Sequence, residues 1–237
     1  MACGSPLRLT VIIPVLNEEA NIALAIERAN ALAPHEVLIA DGGSSDRTVE
    51  IARELSCQVI EAPRGRARQQ NAAAERATGD VLLFLHADSW LAPEGAEQIE
   101  RTLQRSLKIP GGVFWHRFDS PRIGFRLIEL GDALRACSTR IGFGDQGIFL
   151  RRSVFEQLGG FPDVPLMEDV LLMRRLREIG RIAFLPGPLH TSARRHEKHG
   201  LIRQTLRNWT LLSAERLGVP TERLAGQYLP HFRPTQQ

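Results

Sequence analysis

The sequence predicts an α/β fold, a mostly parallel sheet flanked by helices with a helical segment at the carboxyl end. Three observations carry that expectation. Short aliphatic runs alternate with amphipathic stretches through the first half of the chain, and clusters of turn residues separate them. The run Val81–Leu85 is apolar at every position, as a strand covered on both faces must be.

Each element has its own signal. Leu9–Val15 is an aliphatic and β-branched first strand, and Asn17, Glu18 and Glu19 supply capping and first-turn acidic residues for a helix over Ala20–Ala33. Ile22, Ala25, Ile26 and Ala29 recur there at helical spacing. Glu36–Ala40 forms the second strand. Asp41–Asp46 is a turn rich in cap formers that opens a helix through Leu55, and Gln58–Glu61 is the third strand. A helix over Arg68–Ala77 breaks at Gly79 before the apolar fourth strand. After Pro93 a helix runs to Leu107, then a strand over Val113–Phe118 and a helix over Ile123–Cys137. From Gly142 the alternation weakens: a glycine loop to Gly147, a short strand Ile148–Arg151, one or two helical turns from Ser153, a helix over Val170–Ile179 and a strand over Ile182–Leu185. Leu201–Leu217 is amphipathic.

With 237 residues and 43% hydrophobic content, the chain can bury a substantial core as one domain, read as residues 1–198 with a C-terminal helix and tail over 199–237 packed on it. The formal charge is +3 and acids are interleaved with bases, which argues against nucleic acid as a partner. All but Lys108 and Lys198 of the 30 cationic residues are arginine, the side chain suited to phosphate and carboxylate recognition. Cys3, Cys57 and Cys137 are too far apart for a Cys-x-x-Cys and odd in number, so the expectation is a reducing, cytoplasmic setting. The N-terminus lacks the apolar core of a signal peptide, and no run approaches the roughly 20 apolar residues of a membrane span.

In an open parallel sheet, ligands bind beyond the carboxyl ends of the strands. Those ends here carry Asn17-Glu18, Asp41-Gly42-Gly43, Arg64 to Arg68, and His86 with Asp88. Asp41 can accept from a base N–H or a ribose hydroxyl, and Arg66 or Arg68 can fork onto a phosphate. Neither a Gly-x-Gly-x-x-Gly after the first strand nor a Walker loop is present, which removes NAD-dependent oxidoreductases and P-loop ATPases. Asp88 offers a hard oxygen to Mg²⁺ or Mn²⁺ bridging a diphosphate. Glu168-Asp169 opens a helix, where the macrodipole favours a carboxylate in its base form.

Five segments in order then resemble family 2 glycosyltransferases of GT-A fold: Val11-Ile-Ile-Pro14-Val-Leu-Asn17-Glu18, Asp41-Gly-Gly-Ser-Ser-Asp46-Arg-Thr48, Gly65-Arg-Ala-Arg68-Gln-Gln-Asn71, His86-Ala-Asp88, and Met167-Glu168-Asp169. The resemblance covers residues 9 to 195. Within the family the chain is most similar to the small bacterial glycosyltransferases associated with arsenosugar biosynthesis, on Phe84-Leu-His86-Ala-Asp88-Ser, Gly144-Asp-Gln146-Gly147 and Ser192-Ala-Arg-Arg195.

The resemblance implies a nucleotide-diphospho-sugar donor, a divalent metal and inversion at the anomeric carbon. Pro14, Glu18, Asp41 and Arg68 fall on nucleotide-site positions of the family, and Asp88 matches the second carboxylate of its Asp-x-Asp motif. Asp169 matches the general base, with Glu168 its neighbour. Gln146 is expected near the sugar or acceptor, Arg194 and Arg195 near the leaving diphosphate, and His190 as a third metal ligand in the manner of some GT-A enzymes. His86 stands where the motif's first aspartate would be, and the Gln-x-x-Arg-Trp motif of processive relatives is absent, which favours single addition to a small or lipid-linked acceptor. A non-catalytic nucleotide-sugar binding protein is the alternative. Peripheral contact with the inner membrane face and a homodimer through the C-terminal helix stay open.

Overall fold

The computed structural model describes residues 6–193 and 200–228, and Arg194 and Arg195 lie outside them. The strands are β1 (Leu9–Val15), β2 (Glu36–Asp41), β3 (Gln58–Glu61), β4 (Val81–Phe84), β5 (Ser89–Leu91), β6 (Gly111–Phe118), β7 (Phe149–Arg151) and β8 (Ala183–Thr191). The helices are α1 (Ile22–Asn30), α2 (Thr48–Glu54), α3 (Arg66–Arg76), α4 (Glu94–Arg105), α5 (Ile123–Thr139), α6 (Arg152–Leu158), α7 (Glu168–Ile179), α8 (Leu201–Arg216) and α9 (Thr221–Tyr228). All eight strands form one sheet in the order β3-β2-β1-β4-β7-β6-β8-β5.

Residue alternation along β1 explains the layering. Leu9, Val11, Ile13 and Val15 point to one face, where they pack with Ile22, Ala25, Ile26 and Ala29 of α1 and Ile99 and Leu103 of α4. Ile12 points to the other, joining Ala67 and Ala73 of α3, Phe155 of α6 and Leu172 and Leu176 of α7. A strand buried on both sides loses its polar alternation, which is why β4 reads as a continuous apolar run and β1 carries Thr10 as its one polar residue.

β1, β2, β3 and β4 pair in parallel, as do β6 and β8, while β7 and β5 run antiparallel to their neighbours. Three features depart from the sequence expectation. β5 is only three residues long and takes its pairing from β8 (Trp90 opposite His190). β8 continues six residues beyond Leu185 through Pro186-Gly187-Pro188, because the β6 ladder tolerates a bulge: Phe114 pairs Leu185 and His116 pairs Leu189. The chain also ends its described part in a further helix, α9, whose Leu224 and Ala225 pack with Leu211 and Leu166.

One carboxylate fastens the amino ends of three strands. Glu36 Oε1 accepts from Thr10 Oγ1 at 2.7 Å, the Thr78 amide at 2.6 Å and the Gly79 amide at 3.3 Å. Burial alone would raise its pKa, but these donors outweigh burial and hold the carboxyl below the usual glutamate range. A depressed folded-state pKa means stabilisation that is complete above about pH 4.3 and lost as pH falls through the folded value. Glu36→Gln is therefore expected to cost about 1–2 kcal/mol at pH 7. Urea unfolding at pH 7 and pH 3.5 checks this, and a wild-type to variant gap that does not shrink in acid contradicts it.

Candidate active site

The carboxyl ends of β1 and β2 are organised by two interlocked loops. Asn17 takes a left-handed conformation (φ 55°), accepts the Ser45 amide on Oδ1 at 2.8 Å, and donates its own amide to Ser44 Oγ at 2.9 Å. The Glu18 amide donates to Thr48 Oγ1 at 2.7 Å, and the Glu18 carboxylate accepts from Asn21 Nδ2 at 2.6 Å. Asp41 is buried and accepts the Gly43 amide at 2.9 Å and the Ser44 amide at 3.1 Å, so its carboxylate fixes the turn and keeps lone pairs for a ligand. Pro14, half-buried near the end of β1, sits in register with Ala40. Gln69, buried on α3, donates through Nε2 to both Val15 O at 2.7 Å and Ala40 O at 2.8 Å, closing the carbonyls where β1 and β2 end.

Beyond β4 lies a cleft of about 190 Å³ lined by Arg66, His86, Asp88, Asp145 and Asp169, with Asn208, Leu211 and Leu212 of α8 forming part of the wall. Asp169 stands in the first turn of α7, and its Oδ2 accepts the Gly144 amide at 2.6 Å. Gly144 brings the loop close to the cleft: a Cβ there would lie 3.0 Å from Asp169 Oδ2 and 3.3 Å from His86 Nε2, so either side chain would have to give by a few tenths of an ångström. Glu168 is turned the other way, its side chain only 4% exposed and ion-paired to Arg66 Nε at 3.0 Å. Burial pushes the Glu168 carboxyl up, the Arg66 guanidinium opposes that, and Asp169 adds to the rise. Burial, and secondarily Arg66, pulls the His86 pKa down against Asp88, Asp145 and Asp169, so its imidazole is neutral at pH 7.

The glycine loop folds as a 3-10 turn, Gly144–Gln146. Gln146 is fully buried, with Oε1 accepting the Phe143 amide at 2.8 Å, so it shapes the loop that carries Gly144 and Asp145. Asp145 Oδ1 and Gln146 Nε2 are buried without a hydrogen-bond partner. Behind the turn, Arg135 lies over the Phe143 ring at 3.5 Å and donates to Ile141 O at 3.0 Å.

Besides Glu168 and Gln146, which are buried off the cleft lining, two more predicted site residues are engaged elsewhere. Arg68 Nε donates to both oxygens of Asp163, at 2.8 and 3.0 Å, and does not line the cleft. His190 stacks on Trp90 (4.0 Å between rings, 7° apart) beneath the Arg28 side chain, also outside the cleft lining. Arg66, Asp88 and Asp169 do converge. The structure also assigns work that sequence reasoning missed: α3 grips the segment before α7 three times, through Arg66 to Glu168, Arg68 to Asp163, and Asn71, which donates to Phe161 O at 2.8 Å and accepts the Phe161 amide at 2.9 Å.

Among the described residues no three His, Cys, Asp or Glu side chains are grouped closely enough to hold a metal by themselves. The donor set still fits a divalent cation that is completed by its ligand. Asp88 is an exposed hard-oxygen group in the cleft, and Asp145, with its orphaned Oδ1, and Asp169 bring further negative charge to the same wall.

Residues 10–159 match the family model described as Glycosyl transferase family 2. The chain belongs to that family. Its curated relatives include the undecaprenyl-phosphate 4-deoxy-4-formamido-L-arabinose transferase of Yersinia enterocolitica, 28% identical over 61% of this chain and 48% of the relative, and glycosyltransferase AglE of Haloferax volcanii, 27% identical over 65% and 56%. The chain thus spans about half the length of these family 2 relatives. Similar solved structures include the mannosyltransferase PcManGT of Pyrobaculum calidifontis in complex with GDP-Man and Mn²⁺, with TM-score 0.64, 22% identity, and 80% of this chain and 57% of that one covered. Glucosyl-3-phosphoglycerate synthase of Mycobacterium tuberculosis, in complex with Mn²⁺, UDP and glucosyl-3-phosphoglycerate, has TM-score 0.60 and 20% identity, with 90% and 81% covered. The sheet and flanking helices are those of the GT-A glycosyltransferase fold.

Proposed function

We propose that this glycosyltransferase catalyses inverting transfer of a sugar from a nucleotide-diphospho-sugar to an acceptor hydroxyl by single displacement, with Asp169 as general base. The observation that carries the reading is the unequal fate of two adjacent carboxylates. Glu168 is withdrawn into an ion pair with Arg66, while Asp169 is held in the cleft by the Gly144 amide. As the acceptor oxygen attacks the anomeric carbon, its proton passes to Asp169 and the bond from that carbon to the diphosphate oxygen breaks. Attack from the face opposite the leaving group inverts the centre. Asp41, Glu18 and Pro14 border the nucleoside, and Arg66 lies where the diphosphate approaches. Asp88 would hold Mg²⁺ or Mn²⁺, which supplies charge neutralisation to the departing diphosphate.

The relatives named for undecaprenyl-phosphate support a lipid-linked acceptor and a place at the membrane surface. No described helix is long and apolar enough to cross a membrane. Aspartate as base favours a hydroxyl on such an acceptor, because a phosphate oxygen would need no deprotonation.

The test is a thermal-shift series with UDP, GDP, CDP and dTDP, with and without Mn²⁺ or Mg²⁺, on wild type and Asp88→Ala. One nucleotide at about a hundredfold its Kd is expected to stabilise the wild type by about 2.7 kcal/mol, dependent on metal. Asp88→Ala removes the metal dependence. Stabilisation by no nucleotide would sink the proposal.

A further inference from the structure

The helix α5 is apolar on both sides. Phe125 and Ala136 are buried against the domain, yet Ile123, Leu127, Leu130 and Leu134, spaced four, three and four residues apart, form a second stripe that is 80%, 68%, 58% and 64% exposed. A helix with apolar residues all round belongs in a covered environment. The stripe continues onto α8. Gly131 stands between Leu127 and Leu134 on the same face, and a Cβ there would come within 3.7 Å of Trp209, which with Leu206 is about half exposed. Together these side chains form one apolar face across two helices, larger than the scattered exposed leucines of an ordinary surface.

The exposed charges at the ends of these two helices are basic. Arg122 and Arg140 bracket α5, Arg203 and Arg216 lie near the two ends of α8, and all four are exposed. The acids of the two helices are turned inward and paired: Glu129 with Arg126, Asp132 with Arg135 and Glu215 with Arg174, their side chains 15%, 17% and 8% exposed. A two-fold contact between copies through this face would bring the four arginines against themselves, whereas an anionic bilayer complements them.

We infer that the α5 and α8 face docks on an anionic lipid surface, with its leucines and Trp209 at the level of the headgroups and its arginines on the phosphates. The inference deepens the lipid-linked acceptor reading above and adds a route. A pocket of about 330 Å³ opens between the two helices beside Gly131, Trp209 and Arg216, and its inner wall, Phe143, Val170 and Leu212, is shared with the catalytic cleft. A lipid acceptor docked on this side has only that shared wall between it and the cleft that holds Asp169.

The full chain is tested by co-sedimentation with phosphatidylcholine vesicles and with vesicles containing about a third phosphatidylglycerol. The expected result is at least tenfold tighter binding to the anionic vesicles, reversed near 1 M salt. Leu127→Glu/Leu134→Glu should lower that binding tenfold or more, while Leu107→Glu, at a fully separate exposed leucine, leaves it unchanged. Nucleotide-induced stabilisation is read on every variant, which separates a folding defect from a docking defect. Nucleotide binding without vesicle binding in the wild type overturns the docking inference alone, and absence of nucleotide binding overturns the transferase reading independently. A dimer in sedimentation velocity that the double variant splits, with no vesicle uptake, assigns the face to a second copy and also overturns the inference.

Discussion

Asp169→Asn is expected to lower kcat by about 10³-fold, equivalent to about 4 kcal/mol of barrier, with KM for the donor nearly unchanged. The substitution is close to isosteric, and the amide oxygen of asparagine can still accept the Gly144 amide that now donates at 2.6 Å, while the Val170 amide, which donates to Oδ1 at 2.8 Å, loses its acceptor. What is lost is the capacity to take a proton from the acceptor as the new bond forms. Nucleotide-induced stabilisation should persist, because neither Asp88 nor Arg66 is touched. A kcat within about threefold of wild type would remove Asp169 from the base role. Loss of nucleotide stabilisation together with turnover would instead mean that Asp169 builds the donor site.

The second large effect is structural. Gly112→Ala is expected to destabilise the fold by about 3 kcal/mol or more. A Cβ at Gly112 would lie 2.2 Å from Ala183 O and 2.8 Å from the Phe149 ring. The carbonyl belongs to β8, whose register with β6 begins at this pair, so relief requires opening the ladder where both parallel strands start. Phe149 is fully buried beside Phe114 and has little room to move. Chemical denaturation checks the prediction, and a loss below about 1 kcal/mol would show that the β6, β7 and β8 junction is pliable.

Much of this was legible in the chain because some segments have one physical reading. Leu9–Val15 was read with its observed bounds, since the β-branched run Thr10 to Ile13, followed at once by Pro14, has no good helical alternative. β5 was not legible. Three residues carry no periodicity, and Ser89-Trp90-Leu91 becomes a strand only because β8 lies beside it. The second half of β8 was hidden by its prolines, which the β6 bulge accommodates.

The positions of Asp88 and Asp169 in the cleft were readable from their places after a strand and at a helix start. The choice between Arg66 and Arg68 was not, because it depends on where α3 begins. Two residues turn a helix by about 200°, so a first turn that aims Arg66 at Glu168 sends Arg68 away, to Asp163. His190 follows similarly. An isolated histidine near a strand end says nothing of which face it takes, and the pairing with β5 settles it against Trp90. The outward stripe of α5 cannot be told from its inner face in the sequence, because the buried Phe125 and Ala136 are apolar as well.

The three grips of α3 on residues 161–168 bear on how such an enzyme can be recombined. The chain looks divisible near residue 110, with the loops that follow β1 and β2 before it and the segment that carries Asp169 after it. It does not divide there. Arg66, Arg68 and Asn71 hold partners 90 or more positions away, so a chimaera taking its second half from another family member inherits a segment cut for a different helix. The exchangeable unit is that segment together with α3. The outward faces of α5 and α8 make no such grip, so substitutions there leave α3 and its partners in place.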